Sequence, residues 1–96
     1  MTYALDHPAH PPLDETTARA HATELRDLAA QHGITNLRFA STGRLLGHID
    51  SDHDAIDVAS FELAAEELLR RSFFLISDGV LTKPGVSPDL PSAAPL

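Results

Sequence analysis

The sequence predicts an α+β fold: a small mixed sheet of three or four strands with two main helices packed on it. Three observations carry the expectation. An apolar stripe at helical spacing precedes Gly33, an alternating run follows it, and a second helical stretch leads into a second apolar run of strand length. Helix, strand, an ambiguous middle, helix, strand is an order that layers helices against a sheet.

The elements follow in turn. Residues 14–32, DETTARAHATELRDLAAQH, read as one helix. Asp14 is a good N-cap, and Glu15 sits where the helix dipole favours negative charge. Ala18, Ala22, Leu25, Leu28 and Ala29 form the apolar stripe, and Gly33 stops it. Residues 34–41, ITNLRFAS, read as a strand with Leu37 and Phe39 on one face and Asn36 and Arg38 on the other. A second helix holds residues 63–71, with Phe61, Ala64, Ala65 and Leu68 at helical spacing and Ser60 able to cap. Glu66 with Arg70, and Glu67 with Arg71, are i,i+4 pairs in the favourable order. SFFLIS, residues 72–77, reads as a buried strand with Phe73 and Phe74 in the core, followed by a turn at SDGV.

Prolines divide the chain. Residues 1–13 carry Pro8, Pro11 and Pro12, and residues 83–96 carry Pro84, Pro88, Pro91 and Pro95. That density blocks helix continuation and sheet donation, so both segments are expected to stay outside the core, as a flexible Pro-rich head and a Pro-rich tail. The domain proper is then residues 14–82, a marginal size for a lone fold. A protein partner or self-association as a dimer is expected to complete its burial.

The net charge of −7 argues against a DNA or RNA binder, which needs a basic stripe, and suits a basic protein partner or a metal-chelated anion. The chain has no cysteine, so disulfides, thiolate nucleophiles and Cys-ligated zinc are excluded. No apolar run reaches membrane-spanning length and no secretory leader is visible, so a cytoplasmic protein is expected.

The middle of the chain, FASTGRLLGHIDSDHDAID at residues 39–57, allows two readings. In one, Thr42–Gly43 turns a hairpin, RLLGHI is the return strand, and DSDHD is a loop capping a helix that starts near Asp54. Threonine is a poor first residue for a two-residue hairpin, because it resists positive φ. In the other, a glycine-containing turn after Ser41 opens a short helix, and a strand then carries Asp52 and Asp54. Two residues apart on a strand, they face one way and can share magnesium ions. A plain hairpin would remove that site. His48 and His53 lack a second histidine at i+3 or i+4, so a transition-metal site is not expected.

Ser41, ten residues, and then Asp52-His53-Asp54 resemble the signature of the minimal nucleotidyltransferases of the polymerase-β superfamily, which is Gly-Ser, ten residues and Asp-any-Asp. LRDLAAQHGITNLRFAS is similar to the family's first helix and strand, FELAAEELLRRSFFLISDGVL to its second helix and third strand, and the closing Pro95–Leu96 to its C-termini. The resemblance implies a nucleotidyltransferase-like fold, with transfer of a nucleotide from an NTP such as ATP onto a protein or RNA hydroxyl. It assigns Asp52 and Asp54 as catalytic and magnesium-binding. Ser41, Thr42, Gly43 and Arg44 become nucleotide-binding.

The departures are specific. Ala40 stands where the family has its glycine, and Phe74 where it has a third carboxylate that activates the attacking hydroxyl. A second alignment matches AIDVASFELAAEELL to the second helix and leaves DSDHD in a loop. The resemblance, with these losses, implies a degenerate nucleotidyltransferase-fold protein that binds a partner, as an antitoxin-like or regulatory subunit of a toxin–antitoxin type. The alternative is an active magnesium-dependent enzyme.

Overall fold

The computed structural model describes residues 10–52 and 55–96. The elements are α1 (Glu15–Ala20), α2 (Ala22–Gln31), β1 (Ile34–Ser41), β2 (Arg44–Ile49), α3 (Ala55–Leu69), β3 (Phe74–Ser77) and β4 (Ala94–Pro95), with a 3-10 turn at Asp78–Thr82. The sheet order is β3-β2-β1-β4. β1 runs antiparallel to β2 and β4, and β2 parallel to β3, so the sheet is mixed as expected.

Asp14 caps α1 by accepting from the Thr17 N–H at 2.8 Å. The single helix expected over residues 14–32 is broken at His21, whose backbone leaves helical geometry at φ −114° and ψ 23°. The His21 ring meets Glu24 at 2.7 Å, within the first turn of α2. Leu25 and Ala29 are the buried face of α2. Gly33 then turns the chain into β1 at φ +74°.

β1 has the bounds expected and buries Leu37 and Phe39. Asn36 takes φ +52° at a register shift between Thr35 and Arg38, a conformation that Asn tolerates. The next residues form the hairpin. Gly43 takes φ +78° and Thr42 does not go positive, so the objection to threonine in the turn is met by putting the left-handed residue second. A second register shift, between Phe39 and Ser41, absorbs the mismatch. The short helix of the other reading is absent here: Arg44–Ile49 is the return strand.

α3 begins at Ala55, where the hairpin reading expected a helix to start, and spans the AIDVASFELAAEELL of the second alignment. It ends where Arg70 turns left-handed at φ +56°. Helical spacing is lost there, so the expected Glu66–Arg70 and Glu67–Arg71 pairs give way. Glu66 instead meets His10 Nδ1 at 2.9 Å.

Leu25, Ile34, Leu37, Leu45, Phe61 and Leu75 centre the core between the helices and one face of the sheet. Phe61 meets Phe73 edge-on at 5.6 Å between ring centroids. Gly47 lies on this face, and a Cβ there would come within 3.0 Å of Ile34 Cγ2. Phe74 corrects the expectation for the aromatic pair. It is 73% exposed, because neighbouring strand residues face opposite sides and Phe73 takes the inside.

Residues 10–13 of the head and the tail also depart from expectation; residues 1–9 lie outside the described residues. Pro12 bridges Ser72, the Leu13 N–H donates to the Ser72 carbonyl at 2.9 Å, and Leu13 is part of the core. The tail crosses the other face of the sheet. Leu46 and Leu90 are both buried, and neither belongs to the main core cluster. β4 then pairs with β1, the Leu96 N–H donates to the Leu37 carbonyl, and Arg26 donates to the Leu96 carbonyl at 2.6 Å. Pro95 suits this place because an edge strand can do without one N–H.

Candidate functional site

The residues singled out in the sequence fall into two places. Ser41, Thr42, Gly43 and Arg44 form the hairpin turn, and Ser41 pairs with Arg44 across it. Asp52 is exposed in the turn that follows β2, at the other end of that strand. Asp54 and His53 lie outside the described residues. Six strand residues at about 3.3 Å per step put the two ends of β2 roughly 17 Å apart. Magnesium binds oxygen at about 2.1 Å, so a phosphate held at the turn is out of reach of a metal held by Asp52. Among the described residues no three His, Asp or Glu side chains are grouped to hold a metal ion.

The donors at the turn already have a partner. The Ser41 hydroxyl donates to Asp89 Oδ2 at 2.7 Å, and Arg44 Nε lies 2.8 Å from the same oxygen. The arginine approach is close but off the N–H axis, so it is a charge contact rather than an aligned hydrogen bond. The Ser41 hydrogen bond holds the Asp89 carboxyl below its ordinary value. Burial pushes the other way, and the Arg44 charge adds to the lowering. A second carboxylate, Asp78 of the 3-10 turn, lies 3.3 Å from His48 Nδ1 and 3.9 Å from Arg38 Nη2 on the same side of the sheet. Asp78 thus holds the 3-10 turn, and Asp89 the tail, over the basic and hydroxyl side chains of that face.

Phe74 sits on this face too, paired in register with Arg44. At the position expected for a third carboxylate, the chain presents an exposed ring. Ala40 is half-buried in β1, one residue before Ser41.

Sequence reasoning missed Asp78, Asp89 and Glu62. Asp89 stands in SPDLP, where proline density suggested a tail without contacts, and no period marks it. Glu62 has a helical signature only, yet its carboxylate accepts from the Leu75 N–H at 2.7 Å. It reaches across a groove of about 500 Å³ between α3 and β3, which also touches Asp50 and Ser51 at the end of β2.

Neither a protein-family model nor a curated protein matches the chain. A solved structure described as "putative minimal nucleotidyltransferase" does, with a TM-score of 0.64 and 27% sequence identity over 88% of this chain and 97% of that one. Among the described residues no helix is long and apolar enough to cross a membrane. The mixed four-stranded sheet, the helices on one of its faces and this likeness agree: the chain has a minimal nucleotidyltransferase-like α+β fold.

Proposed function

We propose that the chain is a degenerate nucleotidyltransferase-fold protein that works by binding a protein partner, as an antitoxin-like or regulatory subunit. One observation carries the reading: the hairpin holds Ser41 and Asp52 at opposite ends of β2, and a tail carboxylate takes up Ser41 and Arg44. Catalysis by nucleotide transfer asks for a phosphate chain, a metal and a base within reach of each other. The turn offers donors whose acceptor is already Asp89, and the place of the base holds Phe74. No step through magnesium is assigned to these residues.

A binding role has its own support. The chain is acidic, small and displays apolar side chains, including Leu63 and Phe74, to solvent. Calorimetric titration with ATP and magnesium tests the reading. The expected result is no saturable heat with either the native chain or Asp52→Asn. Tight binding by the native chain, abolished by Asp52→Asn, would overturn the degenerate reading in favour of a working site.

A further inference from the structure

β3 ends the sheet on the side away from β4. The Phe74 N–H points inward and donates to the Gly43 carbonyl at 2.9 Å. Successive N–H groups of a strand alternate in direction, so those of Leu75 and Ser77 point to the outer edge. The Leu75 N–H is met there by a side chain, Glu62, and not by a strand. A carboxylate on an edge donor keeps a lone chain from pairing, and a backbone carbonyl can replace it. Beside this edge runs the groove, walled by Val58, Ala59 and Leu75. Its charged lining residues are Asp50 and Glu62, and among the described residues that line it none is Lys or Arg.

We propose that this edge and groove receive an extended segment of a partner protein, cationic and apolar on the side turned to α3, which adds to β3 as a further strand. The proposal rests on the partner-binding reading and names its surface and the chemistry of its partner. A carbonyl of the segment takes the Leu75 N–H. Glu62 swings off that N–H and pairs with a Lys or Arg of the segment. Two residues along, a side chain on the same face enters the groove against Val58 and Ala59. Charge complementarity selects the occupant, since the charged groups among the described residues of the groove, Asp50 and Glu62, are acidic.

The probe is the peptide acetyl-Thr-Lys-Thr-Val-Thr-Lys-Thr-amide, which puts both lysines and the valine on one face. Its counterpart carries Glu for each Lys. Amide spectra of the ¹⁵N-labelled chain should show saturable shifts at Leu75, Ser77 and Val58 with the first peptide and none with the second. Glu62→Gln keeps an oxygen for the Leu75 N–H but removes the charge, and should weaken binding about two- to fivefold. Shifts that are absent, confined to other residues, or equal for both peptides would overturn the proposal. Concentration-dependent self-association through β3 without peptide would also overturn it, in favour of a second copy as occupant. Binding of magnesium–ATP would instead defeat the partner-binding reading, so the two failures are told apart.

Discussion

At the scale of single residues, Asp89 connects the tail to the hairpin turn. Its carboxyl is held low by Ser41 first, against burial, with Arg44 adding to the effect. A carboxyl whose folded value is depressed stabilises above its unfolded value and loses that contribution as pH falls through the folded one. Asp89→Asn should therefore lower the melting temperature at neutral pH, and the difference from the native chain should vanish in strong acid. Thermal denaturation across that range checks it. Phe74 supplies a second test. It is exposed on a strand, so Phe74→Asp should cost no more than about 1 kcal/mol, the span of strand propensity, in a urea titration. Supplying a carboxylate there should still leave the chain unable to bind magnesium–ATP, because Ser41 and Asp52 remain apart.

At the scale of elements, packing sets the costs. Phe61 is completely buried in α3 and meets Phe73, so Phe61→Ala should destabilise by about 3–5 kcal/mol. Gly47 leaves β2 no room for a branched side chain, with Ile34 and Leu75 against it. Gly47→Val should cost about 1–3 kcal/mol by overpacking, measured by chemical denaturation. These elements were legible to different degrees. β1 was plain in sequence because Leu37 and Phe39 alternate with Asn36 and Arg38 between two glycine signals. The hairpin was open to two readings because its left-handed residue is Gly43, and the bulge that makes Thr42 acceptable carries no sequence mark. The break at His21 was invisible, since the apolar stripe continues through it. The start of α3 was legible only in the hairpin reading, because the acidic run before it suits a loop, a strand or a helix cap equally.

At the scale of the whole molecule, the tail covers part of the sheet face opposite the helices, where Leu46 is buried while Phe74 stays exposed. Its prolines suggested a segment without contacts, but proline forbids only particular backbone bonds: Leu90, between Pro88 and Pro91, is buried, and Leu96, after Pro95, packs against the core. Removing residues 83–96 should uncover Leu46, abolish β4 and broaden the thermal transition, as seen by circular dichroism. The candidate site was legible as a motif and illegible as geometry. A spacing of ten residues between Ser41 and Asp52 is the same whether a helix or a strand fills it, and only the backbone decides whether the ends meet. That separation can be read out directly with manganese, a paramagnetic stand-in for magnesium, added with ATP to the ¹⁵N-labelled chain. The expected result is that the amides of residues 41–44 keep their intensity while any broadening stays local to exposed acidic turns. Saturable broadening centred at once on Ser41 and Asp52 would contradict it and would mean that turn and carboxylate share one metal–nucleotide site.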